Sequence, residues 1–231
     1  MSEWLRVGPG DTRAYLAVPE GGTGPGVLVL HAWWGLTPVF TGICDRLAAA
    51  GYVALAPDLY ANEATAETIA EAEVLVAVHD SASAETEAVA LAAIDRLREL
   101  PSVGGDRIAV IGFSLGAWWA LHLSQERPDA IGAVVTVYGT SDGDFSTAKA
   151  NYLGHFAEND DFEPLEAVRE LEASIREAGH EVTFHIYPGT GHWFVEPNRP
   201  DAYNATAADL MWERTLAFLN DQTGGSSNGP A

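Results

Sequence analysis

Short apolar runs and longer Ala- and Glu-rich stretches alternate along this chain. Thr12 to Val18 reads as an early strand, followed by a Gly/Pro turn region from Pro19 to Gly26. Val27-Leu-Val-Leu-His31, apolar without a break up to Leu30, has the length and pattern of a strand buried on both faces. Pro38 to Ala50 predicts a helix stopped by Gly51, and Tyr52 to Ala56 a strand ended by Pro57. Ala64 to His79 and Ala82 to Leu100 predict two further helices. Strands are expected at Ile108 to Ile111, Ile131 to Tyr138, Tyr152 to Ala157 and, with alternating polarity, Glu181 to Tyr187. Pro164 to Ala178, stopped by Gly179, and Ala205 to Asn220 complete the helices. Such alternation predicts an α/β fold, with a mostly parallel central sheet and helices on both faces. No internal repeat or long linker divides the chain, so residues 1–220 read as one domain. Residues 221–231, Gly- and Ser-rich from Gly224, read as a disordered tail.

One junction in this pattern carries chemistry. The strand Ile108-Ala-Val-Ile111 runs into Gly112-Phe-Ser114-Leu-Gly116 and then into the helical Ala117-Trp-Trp-Ala-Leu121. A Gly-x-Ser-x-Gly between strand and helix predicts a nucleophile elbow. The sharp turn lifts the serine hydroxyl above the sheet, and the two glycines leave room where strand and helix crowd. The helix N-terminus that follows offers free N–H groups to a developing oxyanion.

A serine needs a base, and the base needs a carboxylate to orient it. Chain order in this arrangement is Ser, acid, His. His192, in the loop Tyr187-Pro-Gly-Thr-Gly-His192-Trp-Phe after the last expected strand, is the candidate base. The other six histidines fall within or beside expected strands and helices. Glu158, Asp160 and Asp161, after the Tyr152 strand, compete as the acid, and position in the turn favours Asp160. Asp142 and Asp144 are weaker options. One oxyanion donor is the N–H of Leu115, and the second comes from the loop His31-Ala-Trp-Trp-Gly35. Trp33, Trp34 and Trp193 fall in the loops around these motifs and are candidates to wall an apolar pocket. Such chemistry requires no cofactor and no metal.

Composition narrows the partners. Thirty-three acidic against 12 basic residues give a net charge of −21, which disfavours nucleic acid and anionic membrane surfaces. Lysine occurs once, at Lys149. This balance fits either a high-salt host or an acidic proteome. No apolar run approaches the roughly 18–20 residues of a membrane span, and Met1-Ser-Glu-Trp-Leu-Arg lacks the pattern of a signal peptide. A cytoplasmic location is therefore expected. The single Cys44 excludes an internal disulfide and a cysteine-based metal site.

These motifs together resemble the dienelactone hydrolase family, carboxymethylenebutenolidase-like α/β-hydrolases. The resemblance runs from about Pro25 to Leu219. It includes Gly51-Tyr-Val-Ala54 leading to Pro57-Asp-Leu-Tyr60, the elbow, Gly154-His-Phe-Ala-Glu-Asn-Asp160, Gly191-His-Trp-Phe194 and Glu213-Arg-Thr215. It implies the α/β-hydrolase fold, Asp160 as the acid and Trp33 as the second oxyanion donor; only about a dozen residues separate the expected Tyr138 and Tyr152 strands, so no separate lid domain is expected there. Three positions depart from the best-known members. Ser114 replaces a cysteine nucleophile, Ala32 stands where a glutamate pairs with that cysteine, and Glu196 stands where an arginine grips the lactone carboxylate. The expected activity is hydrolysis of a small-molecule ester or lactone through an acyl-enzyme. Glu196 is expected to repel a substrate carboxylate. A small peptidase or acyltransferase on the same triad, and a non-catalytic binding module, are the competing readings. The sequence does not decide between monomer and homodimer.

Overall fold

A computed structural model describes residues 1–8, 10–81 and 83–223. Among the described residues eight strands form one sheet: β1 (Ser2–Val7), β2 (Thr12–Ala17), β3 (Gly24–Leu30), β4 (Val53–Pro57), β5 (Val103–Phe113), β6 (Ile131–Val137), β7 (Asn151–Ala157) and β8 (Val182–Tyr187). Their spatial order is β1-β2-β4-β3-β5-β6-β7-β8. Pairings β1–β2 and β2–β4 are antiparallel, and every pairing from β4 to β8 is parallel. The helices are α1 (Pro38–Ala49), α2 (Ile69–Ser81), α3 (Ser83–Arg98), α4 (Leu115–Glu126), α5 (Leu165–Glu177) and α6 (Ala205–Thr223).

The sheet separates two apolar layers. Val27 and Val29 of β3 face one layer, with Phe40 and Leu47 of α1 and Met211 and Trp212 of α6. Leu28 and Leu30 face the other, with Ile94 and Leu97 of α3, Leu121 of α4 and Leu171 and Ile175 of α5. Period-two alternation within a run that is apolar throughout therefore fills both sides at once. In α1, buried Phe40, Ile43, Cys44 and Leu47 follow the i, i+3, i+4, i+7 spacing of a one-faced helix, and Pro38 sits in its first turn, where a missing N–H costs nothing. Residues 138–150, between β6 and β7, hold one short 3-10 turn, Phe145–Thr147, and no inserted lid.

The sheet and helices are those expected, and the differences lie at ends. β1 is an additional edge strand. Its residues are mostly exposed, so no apolar pattern announces it, and the ladder to β2 holds it. β5 begins at Val103 rather than Ile108, because a polar half pairs with Gly24 and Pro25 before the buried run starts. α2 begins at Ile69 rather than Ala64. Thr68 Oγ1 accepts from the Glu71 N–H at 3.3 Å and Glu71 Oε2 accepts from the Thr68 N–H at 3.1 Å, a reciprocal capping box that fixes the start. α6 continues through residues 221–223. The tail expected from residue 224 lies outside the described residues. Among the described residues no helix is long and apolar enough to cross a membrane.

Candidate active site

The junction of β5 and α4 places Ser114 at φ 49° and ψ −114°, a conformation a non-glycine residue holds only when its surroundings impose it. The surroundings are crowded. A Cβ on Gly112 would lie 2.1 Å from the Gly116 carbonyl oxygen, and one on Gly116 would lie 2.2 Å from that of Leu30. Strand, turn and helix can pass this close only with glycine at both positions. Leu115 is the first residue of α4, where an N–H has no partner within the helix.

The ends of β7 and β8 supply the partners. Ser114 Oγ lies 3.0 Å from His192 Nε2, and His192 Nδ1 lies 2.8 and 3.0 Å from the two Asp160 oxygens. The carboxylate accepts only, so Nδ1 carries the proton and Nε2 is free to accept from the serine. Asp160 Oδ1 also accepts the N–H groups of Phe162 and Glu163, at 2.9 and 3.1 Å, which fixes the carboxylate plane. The side chains of His192 and Asp160 are 5% and 2% exposed.

Two of the competing acids are engaged elsewhere. Glu158 accepts from the Gly189 N–H and ties the acid loop to the histidine loop. Asp144 accepts from the Ser146 N–H at the 3-10 turn. Asp161 faces a cavity, and Asp142 a separate hollow beside α5. Of the other histidines, His31, His79 and His155 are buried in networks of their own, His122 pairs with Glu87, and His180 contacts the Phe145 carbonyl. His185 stacks on His155.

A cavity of about 450 Å³ opens beside the imidazole, lined by Trp34, Phe162, His192, Trp193, Arg199 and Asp161 among others. Trp33 stacks on Trp193 with ring centroids 6.0 Å apart and meets Phe162 at 5.6 Å. The rings of Trp33, Trp34 and Trp193 thus pack against one another beside the imidazole. Phe162 and Tyr138 join them without having been singled out. The Tyr138 ring packs 4.8 Å from the His192 ring, centroid to centroid. Arg199 lies over the Trp34 ring, 3.4 Å from its centroid. Phe162 stands next but one to Asp160 and was legible as a neighbour. Tyr138 and Arg199 reach the site only through the fold.

Glu196 corrects an expectation. Its carboxyl does not line the cavity; it is 1% exposed and accepts from the Tyr138 hydroxyl at 2.7 Å. Burial pushes its pKa up to about 7, against the opposing pull of the Tyr138 hydrogen bond and Arg199. It cannot repel a substrate carboxylate by direct contact. Cys44 is buried in α1, and burial raises its thiol pKa far above the ordinary value. Among the described residues no group of three or more His, Cys, Asp or Glu side chains is arranged to hold a metal ion.

Residues 12–223 match the model of the dienelactone hydrolase family. Protein usf of Aquifex pyrophilus is 30% identical over 215 residues, covering 90% of this chain and 93% of its own. The structure of m3DLH superimposes with a TM-score of 0.87 at 25% identity, covering 96% of this chain and 98% of its own. A dienelactone hydrolase-like promiscuous phosphotriesterase from metagenomic libraries shares the fold, with a TM-score of 0.85 at 24% identity over 96% of this chain and 98% of its own. The family match spans all of the sheet except β1 and carries the elbow, acid and histidine loops with it: this chain belongs to the dienelactone hydrolase family and is a hydrolase of the α/β-hydrolase fold.

Proposed function

We propose that the protein is a serine hydrolase that cleaves small carboxylic esters or lactones through an acyl-enzyme. The observation that carries this reading is the unbroken Ser114–His192–Asp160 chain of hydrogen bonds at the apex of a strained turn. Ser114 Oγ attacks the carbonyl carbon while His192 Nε2 takes the hydroxyl proton. The carbonyl π pair moves onto oxygen, where the N–H groups of Leu115 and Trp33 receive the charge. As the carbonyl re-forms, the bond to the alcohol breaks and the imidazolium returns its proton to the leaving oxygen. Water then repeats the sequence on the acyl-serine, giving the acid and free Ser114. Asp160 holds the imidazole and stabilises its charged form throughout.

The pocket supports neutral substrates of modest size. Its aromatic lining suits an apolar group, and Asp161 and Asp201 oppose the single Arg199. The protein's charge of −21 adds a long-range barrier to anions. A neutral ester therefore replaces the anionic dienelactone as the favoured substrate. An organophosphonate should label Ser114 in the native protein, and Ser114→Ala should lower kcat on p-nitrophenyl butyrate by about 10³-fold or more without lowering Tm. Turnover retained by Ser114→Ala would refute the mechanism. A preference of tenfold or more in kcat/KM for a dienelactone over the butyrate, at both low and high salt, would refute the substrate class.

A further inference from the structure

The loop that leads from β3 towards α1 is held from its carbonyl side. Tyr60 Oη donates to the Trp33 carbonyl at 2.7 Å, and the Ala66 N–H donates to that of Trp34 at 3.0 Å. The Ala32 carbonyl takes the Gly35 N–H at 3.2 Å and contacts His31 Nδ1 at 2.7 Å. The loop's position against the elbow is equally fixed. The Cβ that Gly116 lacks would sit 2.7 Å from the His31 carbonyl oxygen, and Trp33 stacks on the residue next to His192.

The direction of the His31 hydrogen bond follows from its other side. The Leu59 N–H lies 3.0 Å from His31 Nε2. A backbone N–H can only donate, so Nε2 is the bare nitrogen and Nδ1 carries the proton. His31 therefore donates to the Ala32 carbonyl. That carbonyl belongs to the same peptide as the Trp33 N–H, and in a trans peptide the two point in opposite directions. Holding the oxygen on one side aims the hydrogen to the other.

The same logic extends outward. Trp119 Nε1 can only donate, and it does so to His79 Nε2 at 3.1 Å. His79 Nδ1 is then the N–H, donating to Thr86 Oγ1 at 3.1 Å, and the Thr86 hydroxyl donates to the Leu59 carbonyl at 3.2 Å. His31, His79 and Thr86 are all buried. Successive donors thus run in one sense from α4 through α2 and α3 to the Leu59 carbonyl, each bond polarising the next; they fix the backbone at Leu59, whose N–H, in the preceding peptide, donates to His31.

From this geometry we infer that His31 is a positioning residue of the oxyanion hole, clamping the Ala32 carbonyl so that the Trp33 N–H faces the reacting oxygen, with Tyr60 holding the adjoining peptide. The inference rests on the acyl-enzyme reading above. It assigns a task to a buried histidine that the triad does not use.

Two substitutions at one position separate the two ends of the ring. In His31→Asn the side-chain amide reaches the place of Nδ1 and can donate to the Ala32 carbonyl, but nothing accepts from Leu59. In His31→Gln the amide oxygen reaches the place of Nε2 and accepts from Leu59, but the Ala32 carbonyl loses its donor. The full chain is assayed with p-nitrophenyl butyrate, and Ki is measured for a trifluoromethyl ketone, whose adduct with Ser114 places an oxyanion in the hole. His31→Gln is expected to lower kcat at least tenfold, with KM within twofold of the parent, and to weaken the ketone by a similar factor. His31→Asn is expected to stay within threefold of the parent on both readouts, whatever its Tm. Tyr60→Phe decides if neither folds: kcat should fall at least threefold at constant KM. The inference is overturned if His31→Gln keeps parental kcat, if both His31 variants lose activity equally, or if Tyr60→Phe is unaffected when it alone is soluble. Ser114→Ala is assayed alongside. An active Ser114→Ala condemns the acyl-enzyme reading, whereas an inactive Ser114→Ala beside a fully active His31→Gln condemns the inference alone.

Discussion

Asp160 and Asp161 are chemically identical neighbours that the fold puts to different uses. The first is nearly buried and binds His192 and two backbone N–H groups; the second faces the cavity. Asp160→Asn puts an amide where the imidazole N–H must donate and favours the wrong tautomer, so kcat should fall by roughly 10³–10⁴-fold. Asp161→Asn should change kcat by less than about threefold, a span of well under 1 kcal/mol in the barrier. Steady-state kinetics on both variants checks this, and an inactive Asp161→Asn would shift the acid by one position. Glu196 poses a different question at the same scale. Its carboxyl titrates near 4.5 when unfolded and, driven by burial, at about 7 when folded. Between those values the folded protein keeps the proton and the unfolded chain gives it up. The group therefore supports the fold below about pH 4.5, and that support is lost as pH rises through 7, on the order of 3 kcal/mol in all. Glu196→Gln keeps an acceptor for the Tyr138 hydroxyl and has no proton to lose. Relative to the parent, its Tm should be higher at pH 8 than at pH 5, as read by thermal melts at the two pH values. An advantage independent of pH would show that the carboxyl does not titrate in this window.

At the scale of elements, the sequence and the structure agree where a local signal exists. The apolar run Val27–Leu30 and the glycine pair around Ser114 each state their structure within a few residues. β1 and the polar half of β5 do not, because neighbouring strands rather than their own side chains hold them. The candidate site divides in the same way. Ser114 and His192 were legible from their places after strands, whereas Asp160 was only favoured over its acidic neighbours by its position in the turn, a choice the family likeness sharpened. Tyr138, Arg199 and Glu196 are brought to the region by packing alone, against His192, Trp34 and Tyr138 respectively, and Glu196 was misread because nothing local marks it as buried. The elbow supplies the element-scale prediction. Gly116→Ala would drive a methyl to 2.2 Å from the Leu30 carbonyl oxygen, a clash of backbone with backbone that no rotamer relieves. β3 and α4 would have to separate, and the oxyanion loop starts at the end of β3. A loss of about 3 kcal/mol or more in urea unfolding is expected, with activity falling in any folded fraction. Parental stability in Gly116→Ala would mean that strand and helix are less closely packed than 2.2 Å implies.

Across the whole molecule the surplus of acid dominates. Thirty-three carboxylates face 12 cations. Several of those cations already pair, among them Arg13 with Glu63, Arg127 with Asp95, Lys149 with Asp129 and Arg176 with Glu172. These pairs are at least partly exposed and each contributes little, so screening them costs little. The remaining carboxylates repel one another across the surface, and unfolding relieves that repulsion by spreading the charges apart. Raising salt from 0.05 to 1 M shortens the screening length from above 10 Å to about 3 Å and removes most of the repulsion in the folded state. The expected outcome is a rise in Tm of about 3 °C or more, equivalent to roughly 1 kcal/mol for a chain of this size. Sodium chloride is the right salt, because sulfate would raise Tm through exclusion from the surface whatever the charge. Uncharged sucrose at matched osmolality serves as the control. A Tm that does not change with chloride would show that the acidic side chains are too dispersed to strain the fold, and the −21 charge would then bear on solubility and on the approach of anions rather than on stability.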